Sequence, residues 1–249
     1  MMTLTKQFAL LASIKVLPPK GLNTSVYLDI NDFSRHSAWA HGFMRSYALW
    51  LGAVLLVVVF LVDYGIIWWR RDPRAAGLMG LGGVGTFVAL GLNQIVGHAV
   101  KELRPYNTLH HVLVLVPKAN DYAFPSDHAV VAGALVASVL MVSRRAAPHV
   151  SRARPTATDE LRSGSSVSGD GHFVPIMLSL GLVNAFFGLF LCFARVYVGA
   201  HYPVDVVAGF LLGALVVVVI SLARPIAYRM VDVIEPTPFG VLLRRPLKA

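Results

Sequence analysis

In an otherwise apolar chain, three short stretches hold the polar residues whose types and spacing can do chemistry. The most informative is Ala194-Arg195-Val196-Tyr197-Val198-Gly199-Ala200-His201-Tyr202-Pro203-Val204-Asp205, set between apolar runs at 175–193 and 204–222. Arg, His and Asp are costly beside lipid, so their presence there reads as a functional site. If Tyr202-Pro203 opens a helix, Asp205 comes within reach of the His201 ring. A carboxylate on one imidazole nitrogen fixes the tautomer and leaves the other nitrogen as nucleophile or base. Arg195 offers a planar fork suited to a phosphate. The plainer alternative is a buried His–Asp pair with a snorkelling Arg.

The second stretch is Lys101-Glu102-Leu103-Arg104-Pro105, and the third is Phe124-Pro125-Ser126-Asp127-His128. In the third, Ser126 or Asp127 can cap a helix start, whose amides and dipole favour an anion. If the three stretches meet, Arg104, Arg195, Lys101, Ser126 and the helix-start amides would surround a phosphate, with His201 and His128 beside it. These are the parts needed to cleave a phosphate ester or anhydride: a nucleophile, charge clamps and an acid for the leaving group. No His, Asp or Glu cluster has metal-ligand spacing, so the reading calls for no metal and no cofactor.

These residues must be positioned by a membrane bundle. The chain has 249 residues, 56% hydrophobic and 14% charged, with mean hydropathy +0.64. A soluble domain carries roughly 25% charge. A net charge of +9 fits basic loops facing anionic lipid. No basic stretch is interleaved with aromatics in the way a nucleic-acid surface would be. The single cysteine, Cys192, excludes an internal disulfide and a cysteine metal site, and is expected to pack inertly. The apolar stretch at 8–14 is too short for a secretory signal.

Five spans are expected, at 47–69, 75–100, 129–142, 175–193 and 204–222, with room for a sixth in the N-terminal region. Residues 1–46 read as an N-terminal interfacial segment, with an amphipathic stretch at 22–45 and Trp39 at headgroup level. Residues 47–223 form the membrane domain, interrupted by a Ser/Gly/Arg-rich linker at 144–173 that is expected to be mobile. A basic tail follows at 224–249. The second span is rich in glycine, which predicts close helix packing. Asp63 is expected on one face of the bundle, His98 at a helix end and His110 and His111 on a loop surface. Tyr197 and Tyr202 either line the site or anchor at the interface. One set of loops carries 13 Lys/Arg and the other 9. The positive-inside rule then puts the C-terminus in the cytoplasm and all three motifs outside.

At the motif residues the sequence resembles the type-2 phosphatidic acid phosphatase superfamily, to which the soluble vanadium haloperoxidases are similar. Its signature is Lys-x6-Arg-Pro, Pro-Ser-Gly-His and Ser-Arg-x5-His-x3-Asp, matched here between about residues 92 and 209. The resemblance implies an all-α, multi-pass helical bundle. It further implies that His201 is the nucleophile, forming a phosphohistidine, that Asp205 orients it, and that His128 is the general acid. Arg104, Ser126 and Arg195 would bind phosphate. Three positions depart from the pattern: Gly97 stands for the family Lys, Asp127 for Gly and Ala194 for Ser. Lys101, one turn on from Gly97, could supply the missing charge. Asp127 joins the candidate phosphate-binding set, acting on His128 or, as favoured here, capping the helix. The Phe-Pro-Ser-Asp-His-Ala context and the preceding Val-Pro-Lys-Ala-Asn-Asp are similar to the bacitracin-resistance branch of undecaprenyl-diphosphatases. That branch implies hydrolysis of a polyprenyl (undecaprenyl) diphosphate lipid on the outer face of a bacterial plasma membrane. Other lipid phosphates (phosphatidic acid, phosphatidylglycerol phosphate or a polyprenyl-phosphate sugar) are the alternative substrates. An anion channel or transporter, or an inactive scaffold, are the alternatives outside this chemistry.

Overall fold

The computed structural model describes residues 21–70, 72–146 and 173–234. The N-terminal residues 1–20, most of the expected linker (147–172) and the end of the basic tail (235–249) lie outside the described residues. Seven helices carry the architecture: α1 (Leu22–His36), α2 (Ala38–Trp69), α3 (Pro73–Val100), α4 (Asp127–Ala146), α5 (Phe173–Tyr197), α6 (Pro203–Ile220) and α7 (Arg224–Ile234). No strand occurs among the described residues.

Four segments are long and apolar enough to cross a membrane: Ala38–Trp69, Pro73–Thr108, Leu178–Tyr197 and Pro203–Ile226. The apolar part of α4, Asp127–Val142, is shorter. It can be so because α4 is the central helix. Ala129, Val130, Ala132, Ala134, Leu135, Val136, Val139 and Val142 are all buried, against α3, α5 and α6. Its 20 residues still extend about 30 Å, the thickness of a hydrocarbon core.

The first span starts earlier than expected. The helix runs unbroken from Ala38, so the segment around Trp39 is part of it rather than of a separate surface piece. Trp39 is exposed at one end of α2, and Trp68 and Trp69 at the other. That separation is about 45 Å at helical rise, which matches the two interfacial belts of a bilayer. Within α2, Tyr47–Leu51 forms a π-helical turn. α1 is not a sixth span. It has only 15 residues, and its buried stripe of Thr24, Tyr27, Asn31 and Ser34 is polar and docks on protein. Its apolar residues Leu22, Leu28 and Phe33 face outward.

α3 opens with Asp72 accepting from the Ala75 N–H at 2.9 Å and with Pro73 in the first turn. It ends at Lys101, which is left-handed at φ 58°. Only part of its glycine content serves packing. Gly82 lies against Ser138 and Gly85 against Val217, whereas Gly80 and Gly91 face no neighbour within 4 Å. The tightest approach in the bundle lies elsewhere, between α4 and α6. A Cβ on Gly133 would overlap the Phe210 carbonyl, and one on Gly213 would overlap the Val130 carbonyl. The two helices touch backbone to backbone there, which only glycine permits. At the far end, the expected basic tail begins as helix α7, held by Arg74 over the Tyr228 ring at 5.8 Å.

Candidate active site

The three polar stretches meet in one cleft of about 230 Å³. Its walls include Leu49, Arg104, Asp121, Asp127, His128, Arg195 and His201. Five pieces of chain build it: the π-helical turn of α2, the loop between α3 and α4, the start of α4, the end of α5, and the turn into α6.

His201 lies in that last turn. Gly199 reverses the chain at φ 79°, and a Cβ there would overlap the Leu113 carbonyl. Tyr202 then caps α6 and Pro203 occupies its first position. The Asp205 carboxylate accepts from the Tyr202 N–H at 2.8 Å, half of a reciprocal cap at the helix entrance. This brings Asp205 Oδ2 to 3.5 Å from His201 Nδ1, as the spacing predicts. The Ala123 carbonyl, however, is nearer, at 2.8 Å from the same nitrogen. A carbonyl can only accept, so Nδ1 carries the hydrogen, and Nε2 is the nitrogen with a lone pair. The ring is thus oriented first by Ala123, with Asp205 behind it.

His201 Nε2 receives two guanidinium groups, Arg104 Nη1 and Arg195 Nη2, each at 3.1 Å. His201 is 2% exposed, Arg104 6% and Arg195 7%. Burial pushes the His201 proton affinity well below that of an ordinary imidazole, and the neighbouring Arg195 and Arg104 charges add to this. The ring is therefore neutral, with its lone-pair nitrogen aimed where two cationic forks converge.

The forks are held by the backbone and one carboxylate. Arg195 Nη1 donates to the Ala48 carbonyl at 3.0 Å. Arg104 Nη1 donates to the Ala200 carbonyl at 3.0 Å, while its Nε and Nη2 donate to Asp121 at 2.6 and 2.9 Å. His128 Nε2 donates to the Leu49 carbonyl at 3.1 Å. Ala48 and Leu49 both belong to the π-helical turn of α2. A π turn changes the helix's own bonding pattern and recurs at functional sites. Here its carbonyls hold one site Arg and one site His.

The other expected site residues lie differently. Ser126 is fully buried where α4 begins against α6, and its hydroxyl has no hydrogen-bond partner among the described residues. It does not line the cleft. Asp127 lines it, and its carboxylate accepts from Asn93 at 2.6 Å and Gln94 at 2.9 Å, tying α4 to α3. Lys101 is exposed, in the left-handed turn that ends α3, and lines neither this cleft nor the one beside it. That second cleft, of about 440 Å³, contains Gly97, Asn93, Gln94 and His98, and shares Asp121 and Asp127 as a common wall. Tyr197 and Tyr202 do not line the site either. Both are buried braces, bonded to Ser37 and Thr108 at 2.7 Å. Among the described residues no group of three His, Cys, Asp or Glu is arranged around a metal position.

α1 completes the roof. Asn31 donates to the Leu113 carbonyl at 2.8 Å and accepts from the Leu113 N–H at 2.9 Å. Arg35 adds a bond to the His111 carbonyl. The loop that supplies Asp121 is thereby fastened to the N-terminal helix.

Comparison with known proteins bears on the family and the fold. The PAP2 superfamily model matches residues 78–229. The chain is 28% identical over 86% of its length to undecaprenyl-diphosphatase BcrC of Bacillus subtilis strain 168, covering 87% of that protein. It is also 28% identical over 51% of its length to an undecaprenyl-diphosphatase of Sulfolobus acidocaldarius, of which it spans 46%. Among solved structures, it superposes with TM-score 0.57 on a transmembrane PAP2 type phosphatidylglycerolphosphate phosphatase from Bacillus subtilis. That match covers 89% of this chain and 94% of the other at 17% identity, which speaks for a shared fold. With well over half of its residues matched and the three motifs gathered at one cleft, the chain belongs to the PAP2 superfamily and is a membrane-embedded hydrolase.

Proposed function

We propose that the protein hydrolyses undecaprenyl diphosphate to undecaprenyl phosphate and phosphate. The observation that carries the mechanism is the convergence of Arg104 and Arg195 on His201 Nε2, each at 3.1 Å, with the ring's other nitrogen bonded to Ala123. The substrate class is supported by the two relatives named undecaprenyl-diphosphatase.

His201 Nε2 attacks the terminal phosphorus, forming a P–N bond as the bridging P–O bond breaks. Arg104 and Arg195 hold the equatorial oxygens, where charge builds in the transition state. His128 has its Nε2 hydrogen committed to the Leu49 carbonyl, so Nδ1 is the nitrogen that moves a proton. It gives that proton to the departing lipid phosphate. It then takes one from the water that attacks the phosphohistidine, releasing inorganic phosphate. Ser126 and Lys101 contribute little in this scheme, and Asp127 orients α4 rather than binding phosphate. The excess of Lys/Arg in the opposite loops supports a site on the outer face of a bacterial plasma membrane, with the C-terminus in the cytoplasm. The product would be the lipid carrier in its reusable monophosphate form.

The test is phosphate release by purified protein in detergent. Undecaprenyl diphosphate, phosphatidic acid and phosphatidylglycerol phosphate are offered side by side, with His201→Ala in parallel. Release preferring the diphosphate and lost in the variant is the expected result. Release only from a glycerolipid would overturn the substrate and keep the mechanism. Release that survives His201→Ala would overturn the mechanism.

A further inference from the structure

We propose that Asp121 is a positioning residue for the phosphate clamp: it fixes the plane of Arg104 and offsets part of its charge, so that the cleft favours the transition state over bound phosphate. This rests on the cleft being the phosphatase site proposed above. It concerns a residue that lies outside the three motifs.

The two site arginines are buried alike but partnered differently. Arg104 is gripped along one edge by both carboxylate oxygens of Asp121, at 2.6 Å from Nε and 2.9 Å from Nη2. Its Nη1 spans the Ala200 carbonyl and His201 Nε2. A planar fork held along its Nε edge and at Nη1 cannot rotate, so the hydrogens facing His201 are fixed before substrate arrives. Arg195 forms no carboxylate bridge among the described residues, and its hydrogen bonds go to the Ala48 carbonyl and His201. One clamp is thus a charge-offset pair and the other a full cation.

That asymmetry has a kinetic meaning. Two full cations in a small cleft would bind a phosphate dianion strongly in substrate, transition state and product alike. Such uniform binding does not speed the chemical step, and it slows release. Asp121 removes part of the uniform attraction while keeping the direction of the Arg104 hydrogens. Burial works to raise the Asp121 carboxyl, and the Arg104 guanidinium overrides it, holding the carboxyl below the usual carboxylate range. It is therefore a carboxylate at neutral pH. Asp121 is itself anchored. Ala119, two residues earlier, donates its N–H to the Tyr106 hydroxyl at 2.9 Å, and Ala123, two residues later, donates its N–H to the Glu102 carbonyl at 2.8 Å.

The experiment compares Asp121→Asn, Asp121→Glu, Arg104→Gln and the Asp121→Asn/Arg104→Gln double variant. Two readouts are used: kcat on undecaprenyl diphosphate, and calorimetric binding of orthovanadate as a phosphate mimic. Asp121→Asn is expected to lose about tenfold in kcat as the fork loosens, yet to bind vanadate about fivefold more tightly because an opposing charge is gone. Asp121→Glu, which restores the charge, is expected to return vanadate affinity to the wild-type value. In the Arg104→Gln background, Asp121→Asn is expected to leave kcat unchanged, since the fork it positions is gone, and to give a smaller gain in vanadate affinity from the lost charge alone. A merely structural residue would weaken both readouts together. Vanadate binding that is unchanged or weaker in Asp121→Asn overturns the proposal, as does an equal effect without Arg104. Vanadate binding by a wild type that hydrolyses no lipid phosphate would sink the proposed function, while the binding series would still decide the role of Asp121. A wild type that hydrolyses the diphosphate yet binds no vanadate would overturn the role of Asp121 and leave the proposed function standing.

Discussion

Two buried polar clusters lie on α5, one at Arg195 and one at Asn184, about 16 Å apart along the helix at 1.5 Å per residue. The first joins Arg195, Arg104, His201 and His128 through backbone carbonyls from Ala48, Leu49, Ala123 and Ala200. The second is a single contact between α5 and α2, in which the Asn184 amide donates to Asp63 at 3.2 Å. Both members of that pair are buried, and each keeps one oxygen without a partner among the described residues. The Asp63–Asn184 pair faces no cleft described above and has no second titratable group in its contact. Burial of a charge-bearing side chain among spans is thus insufficient to mark a catalytic centre. What sets the Arg195 cluster apart is that one imidazole nitrogen, His201 Nε2, is left as an acceptor while both guanidinium groups facing it are held by backbone carbonyls.

The comparison is broken most severely at His201. In His201→Ala, phosphate release is expected to fall by at least about 10⁴-fold, with the protein still folded by its thermal melting curve. Arg195→Lys is expected to cost about 10²–10³-fold, because an ammonium keeps the charge but cannot span the Ala48 carbonyl and the phosphate at once. Steady-state rates on undecaprenyl diphosphate check both.

The pH dependence sharpens the electrostatic half of the contrast. The His201 proton affinity is depressed by burial and by the two arginines, so the ring stays neutral as pH falls through 6.5, its ordinary value. The acid limb of kcat/KM assigned to His201 is expected well below that value, and Arg104→Gln is expected to move it upward. The same depression is a stability term. It is fully present above the unfolded value and is lost as pH falls towards the folded one, because the unfolded chain takes up the proton first. Chemical denaturation of the protein across that range measures it.

The smallest effect is expected at the other cluster. Asn184→Leu removes the only hydrogen-bond donor to Asp63 among the described residues and is expected to lower stability by about 1–3 kcal/mol. Activity per folded molecule is expected to change less than about twofold. Asp63→Asn, which leaves a neutral amide pair, is expected to be milder still. A large loss of kcat in either variant, with melting unchanged, would erase the distinction between the clusters.

Much of this organisation was legible in the sequence, for a physical reason. Arg104, His128, Arg195 and His201 have side chains that lipid penalises, and their places at span ends put them at one level of the bundle. The five apolar helices follow from run length in the same way. The groups that hold those side chains were not legible. The Ala48, Leu49, Ala123 and Ala200 carbonyls carry no residue-type signal, and two of them are presented by a π turn that no pattern of apolar residues announces. Asp121 closes the Val-Pro-Lys-Ala-Asn-Asp stretch that carries part of the resemblance, but its type and spacing give it no chemical role until the fold brings Arg104 to it. Ser126 and Lys101 show the converse. Motif position singled them out, but helix packing buried one hydroxyl and a left-handed residue turned the chain at the other. The glycine-rich second span pointed to α3 as the close-packing helix, whereas the closest contact belongs to the isolated Gly133 and Gly213 of α4 and α6.

That contact makes the active site a ruler. α4 begins at Asp127, with His128 next, and α6 begins just after His201. Between Gly133 and Gly213 the two backbones meet with no side chain to compress. Lateral pressure and a change in bilayer thickness are absorbed where side chains slide and helices tilt. Neither can easily alter a separation set by direct contact of two main chains a short way below the cleft. The starts of α4 and α6, which carry His128 and lead on from His201, are thus spaced by main chain rather than by side chains.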